Sequence, residues 1–146
     1  MFVPVPTLLV ESAAAQIREL LAASKLPYQD LQFADSTFVG EYLNGKLIAV
    51  AGLEWYGDEA LLRSVAVVPA HRKTGQARHL VDTLVEKARA RGVKKIVLLT
   101  ETAQDYFRKR GFVEVSRSAL GARVQGSSEF TTACPSSAVC MALELV

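Results

Sequence analysis

Apolar residues recur along the chain with two different periods, one typical of strands and one of helices. The strongest local signal is the Asn44-Gly45 pair, a typical hairpin turn that lies between two apolar runs. A continuous apolar run from Ile96 to Leu99 is typical of a strand covered on both faces. Together these patterns predict strands at residues 3–10, 37–42, 46–55, 60–68, 95–100, 112–115 and 139–145.

Three stretches have helical periodicity. The first follows Ser12, its predicted N-cap, and is stopped by Pro27. The second extends from a polar loop containing Gly75 to about Arg91, and the third occupies residues 103–109. The long polar stretch that precedes the last strand has no clear periodicity.

The order of these elements restricts the sheet topology. The early tight turns imply antiparallel pairing, whereas the helix between strands 60–68 and 95–100 implies a parallel crossover. We therefore expect an α/β fold with a mixed, mostly antiparallel sheet of six to seven strands and helices on both faces. The length of 146 residues suits a single domain, residues 1–146.

Composition and charge exclude several classes of protein. Half of the residues are apolar and 22% are charged, an ordinary globular composition, and the net charge of +2 is too balanced for a general nucleic-acid binder. No apolar run approaches the ~20 residues of a membrane-spanning helix, and no secretory signal precedes the first strand. Cys134 and Cys140 lack the partners of a zinc set. We expect a cytoplasmic protein with no metal, nucleic-acid or membrane partner.

The basic turn before the second helix is a candidate phosphate site. The first N–H groups of a helix have no partner within it, and the helix dipole favours an anion there. Gly75 lets the backbone approach a ligand closely, and Ala77 keeps the first helical turn slim. Arg72, Lys73 and Arg78 add positive charge. By itself, the pattern fits an ordinary strand-to-helix turn equally well, and the Walker and dinucleotide-binding patterns are absent.

Two separated motifs resemble those of the GNAT acetyltransferases. Residues 64–77 resemble the central motif of that superfamily, an apolar strand and a proline followed by Gln/Arg-x-x-Gly-x-Gly/Ala. Residues 103–112 resemble the second motif, with an alanine, an aromatic pair and a Gly-Phe pair at the expected offsets. The element order agrees across nearly the whole chain. The resemblance implies the acyl-CoA N-acyltransferase fold.

Shorter segments resemble two groups within that superfamily. Residues 98–103 and 107–112 are similar to the acetyltransferase domain of N-acetylglutamate synthases. Four other segments are similar to GNAT proteins associated with arsenic resistance, at residues 52–54, 61–67, 127–130 and 134–138. These resemblances imply a small, acidic, amino-acid-like amine as acceptor, which would be glutamate-like, phosphinothricin-like or an organoarsenical.

The resemblance also implies acetyl-CoA as the donor and CoA as the co-product, without a metal. The donor would lie where strands 60–68 and 95–100 splay apart, and a backbone N–H near Val67 or Val68 would stabilise the developing oxyanion. The residues expected to hold it are Val65, Ala66, Val67, Arg72, Lys73, Thr74, Gly75, Gln76, Ala77, Arg78, Thr100, Thr102 and Phe107.

Candidates for proton transfer are less clear. Glu54 and Glu59 lie near the predicted cleft and are candidate bases, although both are also ordinary surface acids. In the family a tyrosine four residues before the Gly-Phe pair commonly protonates the departing thiolate, and here that position is Phe107. Tyr106 lies ~100° around the helix from it. Tyr106 could therefore point into the core instead. Either Tyr106 takes the role, or water does, or the thiolate leaves without being protonated.

The acceptor side contains Arg63, an arginine in an otherwise apolar strand. It is a candidate fork for a substrate carboxylate, phosphinate or arsonate. The alternative is an internal ion pair with an acid such as Glu54 or Glu129. Ser64, Ser128 and Glu129 are the other predicted acceptor-site residues. The acids and aromatics of the irregular segment 28–36 could also lie over the substrate.

Other functions on the same fold stay open at this point. One is a protein or peptide N-acetyltransferase. Another is a non-catalytic acyl-CoA-binding regulatory module, which Phe107 favours because it replaces the expected acid. A homodimer is compatible with the resemblance, since a terminal strand could pair between two chains.

Overall fold

The structure is a computed structural model that describes residues 6–72, 74–133 and 137–145. In this part of the chain, seven strands form one sheet in the order β1-β2-β3-β4-β5-β7-β6. Only β4 and β5 pair in parallel among these strands, so the predicted mixed and mostly antiparallel sheet is confirmed. The strands are β1 (Thr7–Leu9), β2 (Ser36–Leu43), β3 (Lys46–Tyr56), β4 (Glu59–Val67), β5 (Lys95–Thr100), β6 (Val113–Glu114) and β7 (Val139–Glu144).

The predicted hairpin forms at the Asn-Gly pair. Leu43 pairs with Lys46, so Asn44 and Gly45 make a two-residue turn. Both have positive φ, 51° and 79°, as the tight turns that match the twist of a hairpin require. Each of the two strands extends by one or two residues beyond the predicted ends.

Four α-helices are described: α1 (Ala14–Ala23), α2 (Gln76–Ala90), α3 (Gln104–Lys109) and α4 (Ala122–Gln125). The predicted N-cap Ser12 is wrong, because it lies inside a 3₁₀ turn, Glu11–Ala13, and Ala13 is the N-cap of α1. The helix also ends before Pro27, with Lys25 in a left-handed conformation. No helix in the described ranges is long and apolar enough to cross a membrane.

Helices cover both faces of the sheet, as predicted. Side chains alternate along a strand, so Ala49 and Ala51 pack in the core that contains α2, whereas Val50 packs with α1. A third apolar cluster, which includes Leu61 and Val97, lies on the face opposite α2 and is covered by the α4 region.

A β-bulge divides β4 into two halves. Gly52 pairs with Arg63 and Val50 with Ala66, so Ser64 and Val65 together face the single residue Ala51. Ser64 adopts a positive φ of 60° at this point. The bulge moves Ala66 to the same face as Arg63. Both strand halves contribute to the core that contains α2, through Leu62 and Val67, whereas on the opposite face Leu61 and Ala66 belong to different clusters.

The long polar stretch before β7 is more structured than predicted. It contains a 3₁₀ turn at Arg117–Ala119, helix α4 and a π-helical turn at Glu129–Ala133. These segments are too short to give a detectable period in the sequence. Residues 134–136, part of a segment used in the predicted subgroup, lie outside the described residues.

Gly52→Ala tests the packing beside the bulge. A Cβ at Gly52 would lie 2.5 Å from the ring of Phe38, which is fully buried. We expect the substitution to lower the free energy of unfolding by about 1–3 kcal/mol. Urea denaturation measures it. Gly126→Ala is the control, since its Cβ would meet only ordinary contacts at 3.5 Å, and an equal loss in both variants would contradict the packing explanation.

Candidate active site

A cleft opens where β4 and β5 lose contact. The two strands pair only over residues 59–61 and 95–97 and then separate, as predicted. The space between them measures about 900 Å³. Residues 62–67 line one wall and residues 98–103 the other, so two strand edges face each other across a gap.

The backbone of β4 presents polar groups to this cleft. The Val68 N–H donates to the Ile48 carbonyl at 2.9 Å, so Val68 is not a free oxyanion donor and that part of the prediction is wrong. Backbone groups alternate between the two sides of a strand, so those of Val67 face away from β3. The Val67 carbonyl accepts a hydrogen bond from Arg72 Nε at 2.9 Å, which agrees with this direction.

The N-terminus of α2 lies at the outer end of the cleft. Gly75 has a φ of 89° and forms the N-cap, without a side-chain hydrogen bond to the first turn. A Cβ added there would have no atom within 4 Å. Arg72 and Ala77 line the cleft beside it. The first N–H groups of the helix therefore border an open, positively charged space that suits an anion.

Thr74, Gln76 and Arg78 of the predicted phosphate turn lie outside the cleft lining. The Thr74 hydroxyl donates to the His71 carbonyl at 2.5 Å and also contacts the Gln76 side chain. Arg78 is exposed and forms a long ion pair with Asp82, at 3.9 Å. Lys73 lies outside the described residues.

The opposite wall brings together the residues predicted from the second motif. The Thr100 hydroxyl accepts the Ala103 N–H at 3.0 Å, and Thr102 lines the cleft. Phe107 is buried, whereas the neighbouring Tyr106 is 36% exposed beside the cleft. The alternative that Tyr106 points into the core is therefore wrong. Burial raises the pKa of Tyr106.

Arg63 lies at the centre of a buried ionic cluster. Its Nη1 and Nη2 donate to the two oxygens of Asp30 at 2.5 and 2.8 Å, and Nη1 also donates to Glu54 at 3.1 Å. Its Nε donates to Ser64 Oγ at 3.0 Å and lies 3.3 Å from Glu129. The predicted alternative of an internal ion pair therefore describes these contacts, and the contacts give no support to a substrate fork.

Two hydroxyl groups complete this cluster. Tyr56 donates to Glu54 at 2.7 Å, and Ser128 donates to Asp30 at 2.6 Å. Burial, together with the neighbouring Glu54 carboxylate, raises the pKa of Tyr56 well above its usual range. The Arg63 guanidinium lowers the pKa of Asp30, although burial opposes the shift. Asp30 is therefore ionised at neutral pH.

The same contacts keep the Arg63 guanidinium positively charged. Burial alone would lower its pKa. The hydrogen bond to Asp30 and the charges of Glu129 and Glu54 outweigh this effect, and its pKa lies above the ordinary value. The sequence did not identify Asp30 or Tyr56 individually. The only signal for Asp30 was the acidic and aromatic content of segment 28–36, and none marked Tyr56, the last residue of β3.

The two predicted bases have different environments. Glu54 is buried and bound to Tyr56 and Arg63, so it is not a surface acid. It contacts the cleft only through Arg63. The prediction that places Glu59 near the cleft is wrong, because Glu59 lies where β4 and β5 are still paired. Its carboxylate accepts the Gly121 N–H at 2.8 Å.

Comparison with known families agrees with this architecture. Residues 9–112 match the family model described as the acetyltransferase (GNAT) family. The chain belongs to this family. The predicted GNAT resemblance is therefore confirmed, and the following relatives agree with the likeness to N-acetylglutamate synthases. The likeness to arsenic-resistance proteins stays a prediction.

Similar sequences occur among amino-acid acetyltransferases. The one from Pasteurella multocida is 32% identical over 71 residues, which cover 47% of this chain and 16% of that protein. The one from Pseudomonas fluorescens is 36% identical over 70 residues, with the same two coverages. The match therefore spans less than a fifth of the length of these relatives.

Three solved structures share the fold of this GNAT chain. Rv2747 from Mycobacterium tuberculosis, in complex with CoA, has a TM-score of 0.78 at 23% identity and covers 98% of this chain and 100% of its own. N-acetylglutamate synthase from Neisseria gonorrhoeae, with coenzyme A and N-acetyl-glutamate, has a TM-score of 0.78 at 16% identity and coverages of 99% and 36%. The ribosomal-protein-S18-alanine N-acetyltransferase of Escherichia coli has 0.69 at 22% and coverages of 96% and 92%.

Asp30→Asn tests the ionic cluster. It removes one charge from the Arg63 pairing, and we expect the free energy of unfolding at pH 7 to fall by about 1–3 kcal/mol. Because the pKa of Asp30 lies below its ordinary value of 3.8, this stabilisation is present above that pH and is lost as the pH falls through the folded-state pKa. Urea denaturation at pH 7 and about pH 3 should therefore show a smaller difference from the wild type at the lower pH.

Asp105→Asn is the matched control. It breaks an exposed Asp–Arg pair, with Arg108 at 2.7 Å, and should leave stability almost unchanged. An Asp30→Asn loss that stays the same at both pH values would contradict the ionic origin of the effect.

Proposed function

We propose that this chain is an acetyl-CoA-dependent N-acetyltransferase that acetylates the primary amine of a small amino-acid-like acceptor. The observation that carries the proposal is the cleft between β4 and β5. It ends at the N-terminus of α2, where no side chain caps the first turn of the helix. Family membership and the activity of the related amino-acid acetyltransferases support it.

The outer end of the cleft suits the phosphates of the donor. Backbone N–H groups after Gly75 and the Arg72 guanidinium would hold them, and the open space at Gly75 allows a close approach. Lys73, Thr74 and Arg78 would add charge and hydrogen bonds nearby. When bound, acetyl-CoA supplies the acetyl thioester, and CoA is the co-product.

The inner part of the cleft suits the transfer itself. Backbone groups of residues 65–67 on the cleft edge would hold the donor arm and supply an N–H to the developing oxyanion. The amine must lose a proton, and Glu54 is the predicted base that remains close to the cleft, acting through water or its hydrogen-bonded neighbours. Thr100, Thr102 and Phe107 would shape the opposite wall.

The acceptor is proposed to be small because amino-acid acetyltransferases are among the proteins with similar sequences to this chain. Glutamate-like, phosphinothricin-like and organoarsenical amines are the acceptors that the sequence resemblance suggests. A peptide N-terminus is the second candidate, favoured by the shared fold of the ribosomal-protein acetyltransferase. Both classes belong in the same assay.

Thiol release from acetyl-CoA tests the proposal. We expect it with at least one small amine, and we expect Ala77→Glu to abolish it, because a carboxylate at the start of α2 repels the donor phosphates. In calorimetry this variant should bind CoA at least about tenfold more weakly. Ala90→Glu places the same side chain at the exposed far end of α2 and should bind normally. CoA binding without thiol release across small amines and peptides would indicate a non-catalytic module.

Tyr106→Phe tests the need for a proton donor. The thiol of CoA is acidic enough to leave as a thiolate, and burial makes the Tyr106 phenol a weaker acid than usual. We expect kcat to fall by less than about threefold. Tyr42→Phe, at an exposed tyrosine of the β2–β3 hairpin, is the control. A fall of about a hundredfold with the fold intact would make Tyr106 the proton donor.

A further inference from the structure

The inner end of the cleft contains buried charge. Charged residues that line the cleft within the described ranges include Lys25, Arg72 and Glu101, which are exposed, and Arg63 and Glu129, which are buried. Arg63 is two residues beyond the last β4 residue that pairs with β5. A ligand that reaches this end would lie out of bulk water, where charges act strongly.

Arg63 has no pair of parallel N–H groups left for a substrate carboxylate. Its Nη1 donates to Asp30 and Glu54, and its Nη2 donates to Asp30. Its Nε donates to Ser64 and lies beside Glu129. All three nitrogens of the guanidinium are therefore engaged. A substrate carboxylate could form the two parallel hydrogen bonds of an arginine fork only if one of these carboxylates were displaced. That would leave a buried acid unpaired, which is costly.

The cluster also has more negative than positive charge. The single guanidinium of Arg63 forms ion pairs with three carboxylates, those of Asp30, Glu54 and Glu129. The hydroxyl groups of Tyr56 and Ser128 donate hydrogen bonds to Glu54 and Asp30 but add no positive charge. A buried excess of carboxylate is relieved when a cation binds beside it. Among the described residues, the cluster at the inner end of the cleft therefore presents more carboxylate than cation to an acceptor, in contrast to the basic outer end.

We infer that the inner end of the cleft receives the acceptor as an ammonium group beside Glu129, and that the preferred acceptors are small primary amines whose remaining part is neutral or cationic. This inference rests on the proposed acetyltransferase function and narrows its substrate class. Arg63 is then a positioning residue, which holds the three carboxylates together, and not the recognition group for an acidic acceptor. An acidic group on the acceptor lowers its affinity.

Matched acceptor pairs test the substrate class. We expect kcat/KM for thiol release to be at least about tenfold higher for glycinamide than for glycine, and higher for L-glutamine than for L-glutamate. Each pair has nearly the same size and differs by one negative charge. A preference for the acidic member in both pairs would overturn the inference while the acetyltransferase function stands.

A binding measurement separates the inference from catalysis. In NMR titrations of the CoA-saturated protein, glycinamide should shift the amide signals near Arg63 and Ser64, whereas N-acetylglycinamide, which has no ammonium group, should not. Glu129→Gln should weaken glycinamide binding at least about tenfold. Glu101→Gln changes an exposed glutamate of the same cleft and should have little effect.

Thermal stability distinguishes a ligand-binding role of Glu129 from a structural one. Asp30 forms two hydrogen bonds with Arg63, whereas Glu129 approaches Arg63 only to 3.3 Å. Glu129→Gln should therefore leave Tm unchanged or raise it, as is common where a site is optimised for a ligand. A lower Tm with normal glycinamide binding would mean that Glu129 only supports Arg63, and would overturn the inference. If no amine gave thiol release but the binding pattern were observed, the acetyltransferase proposal would fail and the ammonium site would be supported.

Discussion

A strand edge that loses its neighbouring strand needs other hydrogen-bond partners for its backbone groups. This constraint applies to β4 beyond Leu61 and to β5 beyond Val97. Up to that point β4 and β5 pair in parallel, and beyond it they separate. The edges left by the separation lie within the fold, where unpaired groups are costly. Arg72 partners one of them, the Val67 carbonyl. The other edge groups of β4 and β5 line the cleft, where an extended ligand could form hydrogen bonds with them.

The ionic cluster around Arg63 ties distant parts of the chain to this opening. Asp30 comes from the segment after α1, Glu54 from β3, and Glu129 from the π-helical turn after α4. None of these segments is close to the others in sequence. Their shared partner, Arg63 on β4, holds these three segments together at the inner end of the cleft through charged contacts.

Much of the fold could be predicted because its signals are local. The Asn44-Gly45 turn and the continuous apolar run of β5 identify their elements within a few residues. An ion pair of Arg63 with Glu54 or Glu129 was one of the two predicted alternatives. Asp30 and Ser128 could not be predicted as members of the cluster, because they lie 33 and 98 residues from their partners. Nor could periodicity decide whether Tyr106 or Phe107 is buried, since α3 has only six residues. Glu59 was misplaced because a strand position does not reveal where two strands part.

The bulge at Ser64 has a further consequence for how β4 can vary. Before it, Leu62 faces α2 and Arg63 the opposite side, and after it Ala66 faces the same side as Arg63. The extra residue thus acts as a phase shift in the two-residue alternation of the strand. Deletion of Ser64 would therefore leave the later side chains on their present faces, because Val65 alone would face Ala51 and Ala66 would stay opposite Val50. A one-residue deletion beyond the bulge, by contrast, would move the side chains that follow it to the other face of the sheet.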